Sequence, residues 1–368
     1  MTGADGRRQP NTATGNKYHS SAPTTAKKPR VSWIDYAKGI CIFFVVMFHV
    51  NDLAQEQLGT SGWLQHVVTF AMPFRMPDFF LIAGLFLESA LRRPWRHYLD
   101  RKVIHFFYFY LLWMTLNFVV LDLQHALLQG AVDASSLVKE YLLRFLDPHG
   151  PLWFIHILPI FFVVTRLTRS VPAWVVWLIA AVLHSLDAQT GWHVPDELAR
   201  RYVFFYSGYV LAPHVFSIAR WGEKHARVAV AYLAGWGVTN GLLVDAGVAG
   251  NVGWSLVLGY LGALAVILSA VLLSTRAWTK PLRYLGENSI VVFLGELLVG
   301  MVTVRILGRV IPDPGTLALA TTVLTIAGTI AMWRIVLRTP ARFMYVRPPW
   351  LMLRETRSET EDRASHGR

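Results

Sequence analysis

Gly39 to Val50 is an apolar run interrupted by one ionisable residue, His49, and nine more apolar stretches of similar or greater length follow it. A membrane-crossing helix needs about 20 mostly apolar residues, and backbone in lipid must satisfy its own hydrogen bonds. The stretches fall near 38–54, 65–90, 103–122, 152–166, 171–187, 201–217, 227–245, 252–273, 286–307 and 316–337. They predict an all-α polytopic membrane protein with about ten transmembrane helices, the fourth short enough to be partly re-entrant. A hydrophobic content of 54% and a mean hydropathy of +0.39 exclude an ordinary soluble domain. Residues 1–30 are polar and rich in Thr, Ser, Pro, Lys and Arg, so they read as a disordered tail. Residues 31–340 are expected to form one membrane-embedded domain, and 341–368 a second tail.

The net charge of +12 is spread unevenly over the loops. The N-terminal tail holds Arg7, Arg8, Lys17, Lys27, Lys28 and Arg30, and the loop after the second span holds Arg92, Arg93, Arg96, Arg101 and Lys102. Arg166 and Arg169, Arg220 and Lys224, and Arg276, Lys280 and Arg283 continue the series, while 55–64 and 246–251 carry no Lys or Arg. Cytoplasmic loops collect Lys and Arg, so both termini are expected in the cytoplasm. Scattered between apolar spans, these cations make no nucleic-acid footprint. The single cysteine, Cys41, lies in the first span and cannot form an intrachain disulfide.

Several polar residues stand where a bilayer penalises them. Lys38 and His49 are eleven residues apart, almost three helical turns, so they share a face roughly 16 Å apart along the axis. Asp35 and Asp52 fall within about 60° of it. The stripe reads either as hydrogen-bonded helix packing or as a site. Arg93 and Arg96, with Arg101 and Lys102 beyond, are either topological charges or a grip for phosphate oxygens, which guanidinium forks bind in pairs. Arg75 and Asp78 flank Pro77 at helical spacing and are expected to pair. Trp153 suits an interfacial anchor or a platform for a sugar ring, and His156 follows one turn later. Asn288 or Ser289 is expected to cap the ninth span. Seven residues after Ser289 comes Glu296, a carboxylate needing a partner, for which Lys38, Arg75 and His49 are candidates.

DYAKGICIFFVVMFHV at 35–50 and FRMPDFFLIAGLF at 74–86 resemble signatures of the integral-membrane acyltransferase family, acyltransferase 3, which includes bacterial sugar O-acyltransferases. GPLWFIH at 150–156, FFYSGY at 204–209 and LGENSI at 285–290 are similar to its weaker motifs. The resemblance implies transfer of an acyl group, most simply acetyl, from acyl-CoA to a hydroxyl of a cell-envelope carbohydrate or glycolipid. Acyl-CoA enters as a substrate, with no bound cofactor or metal, in a bacterial inner membrane. His49 matches the family's essential histidine, with Lys38 and Asp35 beside it in the catalytic set. Arg93 and Arg96, with Arg101 and Lys102, would hold the donor. Arg75, Asp78, Trp153, His156, Ser289 and Glu296 would line the acceptor site. Arg75 and Glu296 depart from positions where relatives often carry His, and Ala83 replaces a usual Ser. A transporter or flippase of sugar-linked or anionic substrates is the alternative, using the same charges as a relay.

Reporters fused after Arg96 and Arg220 should read cytoplasmic, and those within 55–64 and 246–251 external. A reversed pattern would refute the orientation.

Overall fold

The computed structural model describes residues 31–123, 133–148, 150–187, 189–251 and 253–353, so the expected N-terminal tail lies outside them. The described residues contain no strand. Among the described residues, eight helices are long and apolar enough to cross a membrane. They are α1 (Ser32–Leu58), α2 (Leu64–Gly84), the span Trp95–Leu121, the span Gly150–Ser170, and four later helices. After α2, α3 (Leu87–Leu91) leads into the third span, which comprises α4 (Trp95–Leu99), a wide π turn at Asp100–Ile104 and α5 (His105–Asn117). A surface helix, α6 (Ala134–Leu143), precedes α7 (Trp153–Leu167) of the fourth span.

The fifth and sixth apolar stretches depart from the expectation of plain spans. α8 (Ala173–Leu186) has 14 residues, about 21 Å of helix against a hydrocarbon core of about 30 Å. The sixth is a bent pair, α9 (His193–Val210) and α10 (Ala212–Lys224), turned by 73°. Pro213 stands in the first turn of α10, where a missing N–H is tolerated, and cannot continue α9. With α11 (Ala226–Asp245), α12 (Trp254–Ser274), the short α13 (Lys280–Glu287), α14 (Ser289–Leu307) and α15 (Pro314–Val336), the ten apolar stretches are all accounted for.

α1 is the axis of the bundle, packed against α2, α12, α13, α14 and α15. Two backbone crossings set the geometry. A Cβ on Gly286 of α13 would lie 1.7 Å from the carbonyl oxygen of Asp35, and one on Gly39 would lie 2.2 Å from that of Leu282. α2 and α9 cross likewise at Gly84 and Gly208. In lipid such close approach supplies the van der Waals attraction that holds helices together. Phe80 of α2 adds an aromatic knot, its ring 4.8 Å from Phe154 and 5.1 Å from Phe161. At the far end of α1, buried Asn51 donates to Gln65 Oε1 at 2.7 Å, and Gln55 donates to the same oxygen at 2.6 Å.

One residue and one segment expected outside the bundle pack against it. Arg166 is buried, donates to the Leu91 carbonyl at 3.0 Å and stacks on Trp95 and Tyr98. Residues 341–353, expected as the start of a tail, lie against α5, whose Tyr108 and Trp113 donate to the carbonyls of Phe343 and Met344 at 2.9 Å each.

Gly286→Val should prevent accumulation of folded protein, because a side chain there meets backbone that cannot yield. Gly235→Ala, which meets nothing within 4 Å, should be neutral. Fluorescence-detected size exclusion in detergent reads both. A normal Gly286→Val peak would show that this crossing does not govern the fold.

Candidate functional site

Two cavities hold most of the polar residues singled out from the sequence, and α1 lines the second of them. The first, of about 670 Å³, is walled mainly by α4, the π turn and the 340–353 segment. Arg93, His97, Arg101, Lys102 and His105 face it. Wide turns of this kind displace side chains by one register and recur at functional sites; here the turn carries both Arg101 and Lys102. The Lys102 ammonium lies 4.6 Å over the Phe162 ring, within Coulombic reach of Lys38 and Arg93.

The expected Arg93–Arg96 fork does not form. Pro94 holds an extended conformation (φ −54°, ψ 152°) and α4 begins only at Trp95, so the two arginines never share a helical face. Arg93 lies in the wall, where its Nη1 meets His97 Nε2 at 2.6 Å; Arg96 is exposed and absent from the wall.

The second cavity, of about 210 Å³, holds His49. His49 Nδ1 stands 2.7 Å from Glu296 Oε1 of α14. With Glu296 ionised and His49 neutral, Nδ1 donates to the carboxylate and Nε2 keeps its lone pair for the cavity. Glu296 is almost wholly buried, its side chain 1% exposed, while that of His49 is 20% exposed. The pair therefore has a dry end and an end open to the cavity. Of the three candidate partners for Glu296, the fold selects His49.

Arg75 of α2 also faces this cavity, its guanidinium carbon 3.7 Å over the Phe48 ring and its buried Nη1 without a hydrogen-bond partner among the described residues. It does not pair with Asp78, which is 2% exposed with Oδ1 unpartnered. Arg75 points into the cavity and Asp78 into the packed interior. Trp153 joins the wall, its ring 5.3 Å from His193. His156 does not: it bonds the Phe145 carbonyl at 3.0 Å and packs on Tyr110. Ser289 and Asp35 line neither cavity; Asp35 is buried where α1 crosses α13. Neither Asn288 nor Ser289 caps α14, and the Asn288 amide instead donates back to the Tyr284 carbonyl at 2.8 Å.

Sequence reasoning missed three wall residues, His193, Glu197 and Arg201 of α9. Arg201 Nε donates to Glu197 Oε2 at 2.9 Å. Their spacing of four residues is a helical face, legible once α9 is started at His193 instead of eight residues later.

The family model described as an acyltransferase domain matches residues 31–334, which include both histidine-cavity partners and every wall residue of the first cavity except those of the 340–353 segment. The inner membrane protein YcfT of Escherichia coli (strain K12) is 24% identical over 205 residues, covering 49% of this chain and 56% of YcfT. The match thus spans little more than half of that relative. No solved structure matches.

A base that loses its orienting carboxylate fails in the same step as the base itself. His49→Asn should lower acyl transfer by about 10²–10⁴-fold. Glu296→Gln should cost about 10²-fold or more, and the double variant little beyond His49→Asn, because residues acting as a unit are not additive. Membrane assays normalised to protein amount test this; additive losses would separate the two residues.

Proposed function

We propose that this chain, which belongs to the acyltransferase 3 family, is an integral-membrane acyltransferase that moves an acetyl group from acetyl-CoA to a hydroxyl of a cell-envelope or exported carbohydrate. The observation that carries this reading is the pair of cavities: a basic chamber at the π turn, lined by Arg93, Arg101 and Lys102, and a smaller chamber holding His49. CoA is a polyanion with a long, thin arm ending in the thioester. Its phosphates match the cations of the first chamber, and its arm runs toward His49. The loop charges favour a cytoplasmic donor chamber, where acyl-CoA is found, with both termini on that side and the acceptor arriving from the opposite face. This arrangement fits a bacterial inner membrane and a membrane-embedded domain that takes in residues 341–353 as well as 31–340.

In this mechanism His49 Nε2 removes the proton of the acceptor hydroxyl. The oxygen attacks the thioester carbonyl, and the tetrahedral oxyanion is met by the free Nη1–H of Arg75. Collapse breaks the C–S bond, and the imidazolium returns its proton to the departing thiolate. Glu296 stabilises the imidazolium while it exists. Trp153 and the aromatic wall offer an apolar face to a sugar ring.

Membranes containing the protein should pass label from radiolabelled acetyl-CoA to extracted glycan. Arg93→Ala should raise the donor KM about tenfold, on the scale of losing a charge-assisted phosphate contact. Arg96→Ala should stay near the parental value. Solute movement without acyl transfer would instead favour a transporter. Equal effects of the two arginine changes would remove the first chamber as the donor site.

A further inference from the structure

Within the wall of the basic cavity there is one carboxylate, Asp100. It opens the π turn that carries Arg101 and Lys102, and it is 8% exposed. An uncompensated carboxylate there would repel a polyanion and offset one of the cations beside it. It is compensated from outside the matched family region, which ends at residue 334. Arg347 Nη2 donates to Asp100 Oδ2 at 2.6 Å, and Nη1 to the Asp100 main-chain carbonyl at 2.9 Å. The Leu353 N–H donates to Oδ1 at 2.9 Å. Arg347 is 4% exposed, and two of its nitrogens are committed to this one residue.

We propose that Arg347 is a positioning residue for the donor: it cancels the Asp100 charge and fixes the turn from which Arg101 and Lys102 face the phosphates. This rests on the reading of the basic cavity as the CoA chamber. Arg347 acts through Asp100, not through the ligand. The segment after the last span thus completes the donor chamber, with Tyr345 and Met352 adding to its wall.

A merely structural tie and a charge shield make opposite predictions for Asp100. The full chain, purified in detergent, is titrated with CoA and with pantetheine, which has the same arm but no phosphate. Arg347→Ala should weaken CoA binding about tenfold or more and leave pantetheine unchanged, because the exposed charge acts on phosphate. Asp100→Asn should bind CoA at least as tightly as the parent, and the double variant Arg347→Ala/Asp100→Asn should recover most of the loss. In turnover, the Arg347→Ala deficit should fall on donor KM, with kcat nearly preserved. If Arg347→Ala does not accumulate, Arg347→Gln carries the same comparison.

If Asp100→Asn alone weakens CoA as much as Arg347→Ala, the pair is only a structural tie and the inference falls. A tight Asp100→Asn with a double variant as weak as Arg347→Ala would make Arg347 a direct phosphate ligand, which also overturns it. Failure of the parent to bind CoA strikes the donor reading itself and takes this inference with it. Normal parental binding with unresponsive variants overturns the shield alone.

Discussion

A buried carboxylate inside an apolar bundle needs a partner or a proton, and Glu296 has a partner in His49. Much else in the structure serves to bring those two side chains together. They belong to the first and ninth apolar stretches, 247 residues apart in sequence. α1 must therefore touch α14 at the depth of His49, and the close crossing of α1 with α13, the helix leading into α14, fixes that approach. α2 crosses the front of α1 and brings Arg75 to the same cavity, while α9, locked to α2 at Gly84 and Gly208, brings Glu197 and Arg201. Glycines at helix crossings and ions in the cavity are two sides of one requirement. The helices need small residues to approach closely, and the polar groups need close helices to find partners.

The sequence made the local features legible and left the long-range ones open. Apolar length located all ten stretches, and residue type singled out His49, which the fold places in the smaller cavity, whereas Lys38, on the same face by spacing, lines neither cavity. Glu296 could be recognised as needing a partner, but three candidates satisfied the spacing, and only the packing of α14 on α1 chooses. The Arg93–Arg96 fork failed for a reason written in the sequence: Pro94 restrains the residue before it to extended backbone, so helical spacing does not apply across it. His193, Glu197 and Arg201 were hidden because apolar length placed the start of their helix too late. Polar residues inside a protein cavity lower hydropathy where a span is least exposed to lipid, so a site erodes the signal used to find its own helix.

The two chambers differ in the physics of their walls. The first is wide and cationic, suited to long-range attraction of an anion and insensitive to its detailed shape. The second is about a third the volume and largely aromatic, with a few polar atoms at defined positions. A division of this kind lets one part of the protein supply binding energy and another supply geometry, which is how remote contacts on a substrate come to favour the reacting bond.

One consequence of the burial of Glu296 concerns where a positive charge on the histidine would be balanced. The His49 side chain is 20% exposed and that of Glu296 1%, so their hydrogen bond runs from the edge of the cavity into the packed interior. A charge arising on the imidazole would meet a counter-charge already fixed in the protein, and no mobile ion would have to enter with it.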